Sequence, residues 1–359
     1  MAKVLMLVNW KVRYCNEVPD DLQPPDYVCK GKPYWFFRYT SGDWDVDVVD
    51  VKSLPAIESF EKERLRFYVL QTIKVLPRLG QYDLIISHGM QSGIVLALWR
   101  RLIHTRAKHV VFDIGSFNSA AESGEALRMM QWASHSIDGI IYHTSSQIKY
   151  YEQYFPWLVD KSRFVPFGTD LDFFRTEECA ASVNTGIPYI ICVGNAKRDW
   201  DTLVAAYKRL DTNVHLKILG HVDQRFNGVP GVEMIPQVPV QEYKRLVRDS
   251  LFCVLPLESF NYSFGQMTLM QEMAMGKCVV AARALSLVDY GVDGETVLFY
   301  EPRNVEDCCD KLKLALGDSR LRERLAAEAP SWLRSNRSEK KMARGVEAFL
   351  GDVLEGGIQ

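Results

Sequence analysis

Several features that would settle a function at first sight are missing from these 359 residues. No apolar run approaches the roughly 20 residues that a membrane-spanning helix needs. The first run, Val4–Val8, follows only Met1-Ala2-Lys3 and reads as a buried strand, not a signal peptide. The eight cysteines are Cys15, Cys29, Cys179, Cys192, Cys253, Cys278, Cys308 and Cys309, and no pair has the CxxC spacing of a zinc or redox site. Several lie inside apolar stretches such as Ile190-Ile191-Cys192-Val193, as reduced core cysteines do. That usage leads to the expectation of a cytoplasmic protein. No cluster of His, Asp and Cys has metal-ligand spacing, and no metal is expected. A formal net charge of -2 leaves no global field drawing the chain to nucleic acid or acidic lipid, and no nucleic-acid partner is expected.

What is present is a repeating order of short apolar run, loop and helix-length amphipathic segment. Hydrophobic residues make up 47% and charged residues 25%, a globular composition, and the length suits two domains of about 150–200 residues. One series of candidate strands is Val4–Val8, Asp45–Val51, Leu84–Ser87, His109–Phe112, Gly139–His143 and Arg163–Pro166. A second is Tyr189–Val193, His215–Leu219, Val232–Ile235, Phe252–Leu255, Cys278–Ala282 and Val297–Phe299. Many are solid Val, Ile and Leu, the pattern of parallel strands covered on both faces. Helix-like stretches lie between them, among them Glu58–Leu79, Ser92–Ile103, Ser145–Phe155, Asp199–Leu210, Gln241–Asp249 and Val305–Leu316. The alternation predicts an α/β fold of two doubly wound domains. The break falls in the polar stretch Asp170–Gly186, and the charged tail from Asp318 to Leu354 reads as helical. Tyr27–Trp44 holds seven aromatic residues, which reads first as a loop folded over the core and second as a wall for a carbohydrate acceptor.

The chemistry concentrates between Leu255 and Ala282. A buried strand ends at Pro256, a polar loop follows, and a helix starts near Gly265 and stops at Gly276, a well-placed left-handed cap. The N-terminus of that helix, at Phe264-Gly265-Gln266, offers unpaired N–H groups and a positive dipole end to a diphosphate, and Gly265 permits close approach. Glu272 lies about two turns on, on the face of Gly265, where nucleotide ribose hydroxyls are a natural partner.

This segment resembles the donor-binding motif of retaining glycosyltransferases of the two-domain GT-B architecture (group 1, family 4-like), with Phe264-Gly265, Glu272, Met273-Ala274-Met275-Gly276 and Val279-Val280-Ala281 carrying the likeness. Three further stretches match in order: Ser136–Ser146, Val165–Phe174 and Cys192–Leu203. The resemblance implies two Rossmann-like domains with an inter-domain cleft: residues 1–170 for the acceptor, 186–335 for the nucleotide sugar, and a helix at 336–359 crossing back toward the N-terminal domain. It implies that Glu272 holds the ribose. The family's first motif glutamate falls on Phe264. The implied donor-binding set is Gly194, Asn195, Ser263, Phe264, Gly265, Gln266, Met267, Glu272 and Val238, with Glu258 as a substitute for the missing glutamate.

A leaving diphosphate develops negative charge that fixed cations stabilise. The family's lysine position holds Arg198 beside Lys197, while its arginine position holds Asn195. Arg198, able to grip phosphate with a bidentate fork, is the first expectation for this role and Lys197 the second. In the N-terminal domain no glycine follows the first strand at Val8-Asn9-Trp10-Lys11; Asp113 and His88, at the ends of middle strands, are the candidates for contact with the donor sugar. The basic run Trp99–His109 suggests a solvated helix end, with contact to anionic lipid as the second reading.

The expected function is thus a metal-free retaining glycosyltransferase, with no cofactor, moving a sugar from a UDP- or GDP-sugar to a carbohydrate, lipid-linked or small-molecule acceptor. Expected alongside are a cytoplasmic location, with peripheral membrane contact as the variant, and a monomer or homodimer. The alternatives are a degenerate, non-catalytic sugar-nucleotide-binding subunit and a nucleotide-sugar epimerase of the same fold.

Overall fold

The computed structural model describes residues 1–65, 67–103, 105–115, 122–175 and 186–356. His104 of the basic run, Ser116, Phe117 and Asn118 after the Asp113 strand, Cys179, and Asn184-Thr185 of the polar break lie outside the described residues. The chain forms two compact units. Unit 1 comprises Met1–Pro166, Asn261–Ser263 and Lys340–Gln359; unit 2 comprises Phe167–Phe260 and Phe264–Glu339.

Unit 1 begins with β1 (Ala2–Leu7), a ribbon of β2 (Arg13–Cys15) and β3 (Tyr27–Cys29), and β4 (Trp44–Val49). It continues through β5 (Leu84–His88), β6 (Lys108–Asp113), β7 (Gly139–Tyr142) and β8 (Ser162–Phe164). Six strands make one parallel sheet in the order β4-β1-β5-β6-β7-β8. Its central strands are buried throughout because α3 (Met90–Leu102), α4 (Glu125–Ser134) and α5 (Ile148–Tyr154) cover them with apolar side chains. One expectation needs correction. The stretch Glu58–Leu79 is not a single helix but α1 (Pro55–Phe60), a π-helical turn over Glu61–Leu65, α2 (Val69–Val75) and a 3-10 turn over Leu76–Gln81. The buried Glu61 carboxylate folds back to accept from Leu70 N at 2.7 Å, and Pro77 stops the α-helical hydrogen-bond pattern. The aromatic segment is core: Tyr34, Trp35, Phe36 and Phe37 are buried, with Phe36 stacked on Phe37 and Phe112.

Unit 2 holds β9 (Tyr189–Val193), β10 (His215–Leu219), β11 (Val232–Ile235), β12 (Cys253–Leu255), β13 (Val279–Ala282) and β14 (Leu298–Tyr300), all parallel, in the order β11-β10-β9-β12-β13-β14. Its helices are α6 (Trp200–Tyr207), α7 (Val240–Asp249), α8 (Gln266–Ala274), α9 (Val305–Gly317) and α10 (Ser319–Asn336). The chain joins this unit at Phe167, whose N–H donates to Tyr290 Oη at 3.0 Å, while Thr169 N–H donates to Arg337 O. Hence the unit boundary precedes Asp170.

The last helix, α11 (Glu339–Glu355), belongs from Lys340 onward to unit 1. It packs on β7 where Gly139 leaves room: a Cβ there would meet Phe349 at 2.9 Å and Val353 at 3.0 Å. Glu347 fixes the helix by accepting from Ser41 N at 2.8 Å and Gly42 N at 2.6 Å. No described helix is long and apolar enough to cross a membrane. Phe349 is 1% exposed, so Phe349→Ala leaves a cavity under α11. The expected loss of stability is about 3–5 kcal/mol, read from urea unfolding.

Candidate functional site

The chain leaves β9 toward β10 on one side and returns as β12 on the other, so β9 and β12 are neighbours at the point where strand order reverses. Ligands of open parallel sheets bind outside the carboxyl ends at such a point. Two loops meet there within unit 2, residues 194–199 after β9 and 256–260 after β12. They are joined main chain to main chain, by Asp199 N donating to Pro256 O at 2.7 Å, an antiparallel bridge between Arg198 and Leu257, and Glu258 N donating to Lys197 O at 3.4 Å.

Arg198 organises this junction. Gly194 has φ +128°, and a Cβ there would lie 2.5 Å from Arg198 Nη2, so the guanidinium occupies the space that the glycine leaves. Nε donates to Val193 O at 3.1 Å, Nη1 to Ala196 O at 3.1 Å, and Nη2 to Thr268 Oγ1 at 3.2 Å in the first turn of α8. The side chain is buried. The expected bidentate phosphate fork is not presented, because the Nε–Nη2 edge already faces Val193 and Thr268. Arg198 is a fixed charge beneath the site. Lys197, by contrast, is exposed at φ +53° and holds its ammonium 4.1 Å from the Phe260 ring.

The helix that receives this charge is α8. Its N-cap, Gly265, is left-handed at φ +82°, and a Cβ there would lie 2.8 Å from Leu257 Cδ2, so conformation and space both demand glycine. No side chain caps the helix and no acidic residue occupies its first turn. A positive dipole end with a guanidinium and an ammonium beside it has the electrostatics to attract an anion. Two turns on, Glu272 is 0% exposed, and among the described residues neither carboxylate oxygen has a hydrogen-bond partner. Burial pushes its carboxyl well above the ordinary value of 4.5, opposed by the charge of Arg198. The hydroxyl of Tyr243 on α7 is likewise buried without a hydrogen-bond partner among the described residues, and its pKa is raised first by burial and next by the Glu272 charge. A buried carboxylate and a buried phenol, both without partners and both in electrostatic reach of each other, are what ligand hydroxyls would satisfy.

The remaining candidates are placed as follows. Gly194, Asn195, Phe264, Gln266 and Met267 all lie at the junction of the two loops or in the first turn of α8; Gln266 is buried, Asn195 exposed and Phe264 half-buried, with its ring 5.7 Å from the Arg198 guanidinium. Val238 lies in the loop after β11, two strands from β9. Ser263 groups with unit 1. In unit 1, His88 is buried against Trp10 at 4.6 Å between ring centres, Trp35 at 5.6 Å and Phe112 at 6.1 Å; burial, then the neighbouring His143, pushes its pKa down to about 3 and keeps it neutral. Asp113 is fully buried, with Oδ1 accepting from Gly115 N at 2.9 Å and Oδ2 from Gln147 Nε2 at 3.2 Å and from Tyr151 Oη. The structure places both in the framework of unit 1. Sequence reading passed over Thr268 and Tyr243; Thr268 follows Gly265 by three residues on the helix face of Glu272, and that periodicity was the available signal. No group of three or more His, Cys, Asp or Glu side chains among the described residues is arranged to hold a metal ion.

Residues 187–318 match the family model described as Glycosyl transferases group 1. The match runs from β9 through α9 and includes every unit 2 residue of the site. No curated protein sequence matches the chain. Among solved structures, sucrose-phosphate synthase from Thermosynechococcus elongatus is similar at 15% identity and a TM-score of 0.70, over 99% of this chain and 100% of that one. HepE from Anabaena in complex with UDP and glucose is similar at 13% identity and a TM-score of 0.71, over 98% and 100%. A glycosyltransferase from Rickettsia africae is similar at 13% identity and a TM-score of 0.65, over 86% and 90%. These likenesses establish the GT-B fold, two Rossmann-like domains of parallel sheet with surrounding helices.

The burial of Glu272 has a measurable consequence. A carboxyl whose folded pKa is raised holds its proton in the native state while the unfolded chain ionises, so its contribution to stability falls as pH rises above the ordinary 4.5. Without ligand, Glu272→Gln is therefore expected to gain stability relative to the parent as pH is raised from acid to neutral. Urea midpoints across that range check it; parallel pH profiles for the two proteins would show that Glu272 is not the strained group.

Proposed function

We propose that the chain is a retaining glycosyltransferase that transfers a sugar from a nucleoside-diphosphate sugar to an acceptor hydroxyl. The observation that carries this reading is the uncapped N-terminus of α8, set beside Arg198 and Lys197 at the strand-order reversal, with the unpartnered Glu272 carboxylate two turns along the same helix. The diphosphate sits on the first turn of α8, the ribose hydroxyls reach Glu272, and Lys197 closes on the leaving phosphate. The match to the group 1 glycosyltransferases over this segment supports the assignment, and the UDP complex of Anabaena HepE favours UDP as the nucleotide. No protein nucleophile is invoked: the acceptor hydroxyl attacks on the face that the phosphate leaves, and the phosphate takes its proton. No metal ion is part of the proposal.

A second reading, a sugar-nucleotide-binding subunit without turnover, rests on two positions, Phe264 and Asn195, where the resemblance has a glutamate and an arginine. Thermal unfolding with UDP, GDP and UDP-glucose, followed by assay of sugar release or transfer, separates the two. A nucleotide at a hundred times its Kd adds about 2.7 kcal/mol of stability. Binding without turnover selects the second reading, and no shift with any nucleotide removes both. For the enzyme, loss of one cationic contact to the diphosphate in Lys197→Ala is expected to cost about 1.5–3 kcal/mol, roughly ten- to a hundredfold in kcat/KM. An unchanged kcat/KM would exclude Lys197 from the clamp.

A further inference from the structure

The ribbon of β2 and β3 takes no part in the proposed donor site, yet it sets two cysteines directly opposite each other on paired strands. The two strands are parallel, with Cys15 directly opposite Cys29, and both thiols are free. Paired strands lie about 4.8 Å apart, inside the roughly 4.4–6.8 Å between α-carbons that a disulfide spans. The Cys15 thiol donates to Val28 O at 3.4 Å, which holds it against the neighbouring strand. Cys15 is half-buried, whereas the other six described cysteines are buried, so among the described residues Cys15 is the thiol most open to a solute. The segment between them is pinned to the end of β1 in unit 1: Pro25 O accepts from Trp10 Nε1 at 3.3 Å and from Tyr34 Oη at 2.8 Å, and Trp10 in turn packs edge-on against His88. Trp10 follows β1 and His88 ends β5, the pair of neighbours at which the strand order of unit 1 reverses.

We propose that Cys15 and Cys29 are a redox clasp: exchange with a small-molecule disulfide of the glutathione class converts them into an intramolecular disulfide that locks the ribbon, and with it Trp10, at the carboxyl edge of the unit 1 sheet. The Cys15 thiolate attacks one sulfur of the small disulfide, forming a mixed disulfide and releasing one thiolate. The Cys29 thiolate then attacks the Cys15 sulfur, breaking the mixed bond and releasing the second thiol. Two protein thiols are oxidised and one small disulfide is reduced to two thiols. Burial pushes the Cys15 thiol up, so the exchange quickens toward mildly alkaline pH.

The test uses the full chain, fully reduced and then equilibrated with oxidised glutathione at mildly alkaline pH. Peptide mass spectrometry without reductant is expected to find Cys15 joined to Cys29, with the thermal midpoint of the oxidised protein above that of the reduced protein. Closing a loop of this length restricts the unfolded chain. Cys15→Ser and Cys29→Ser should each lose both the linked peptide and the shift. If Cys29→Ser fails to fold, the half-exposed Cys15→Ser decides alone. A stable glutathione adduct on Cys15 with no linked peptide, oxidation confined to other cysteines, or a midpoint shift that persists in Cys15→Ser would each overturn the proposal.

Discussion

The second unit depends on a guanidinium lodged where Gly194 has no side chain. Burying Arg198 costs desolvation, which lowers its pKa; bonds to two main-chain carbonyls and one threonine hydroxyl offset that cost. In return, the loop after β9 and the first turn of α8 share one rigid hub. An anion arriving at α8 meets donors whose positions are already fixed, the condition under which electrostatic stabilisation is largest. Had the guanidinium pointed into solvent, the two loops would be held only by their main-chain bridge, and the positive potential at α8 would be screened.

The charge of Arg198 also acts on the buried Glu272, opposing the effect of burial on its carboxyl. Its electrostatic neighbours are the Arg198 charge and the Tyr243 phenol, and among the described residues neither forms a hydrogen bond with it. Its carboxyl therefore holds a proton more tightly than usual, and a ligand that supplies hydroxyl donors would let that proton leave.

Much of the fold was legible because parallel strands covered on both faces read as unbroken apolar runs: Ile190-Ile191-Cys192-Val193 and Leu84-Ile85-Ile86 need no alternation to be found. The left-handed glycines Gly265 and Gly276, which bound the strand–helix–strand segment, were legible too. What escaped has physical causes. The strands β2 and β3 have three residues each, too short for any periodicity to show. The stretch from Glu58 to Leu79 has helical composition, but a buried carboxylate and a proline divide it. The aromatic segment Tyr27–Trp44, by contrast, was legible: its first reading, a loop folded over the core, agrees with the burial of Tyr34, Trp35, Phe36 and Phe37. Within the site, Gly265 and Glu272 were visible as a spacing along one helix, whereas the inward turn of Arg198 was not, because it depends on Gly194 and Thr268, which approach only in three dimensions. His88 and Asp113 were read from strand ends alone; their aromatic and hydrogen-bonded surroundings come from elements distant in sequence.

The central claim is that a nucleoside diphosphate binds where the loop after β9 meets α8. Amide hydrogen exchange of the full chain with and without UDP tests it most directly. Slowed exchange is expected in residues 194–199 and in 264–272, with the rest of the β11-β10-β9-β12-β13-β14 sheet little changed. Protection confined to other segments, with these two unaltered at saturating UDP, would contradict the account.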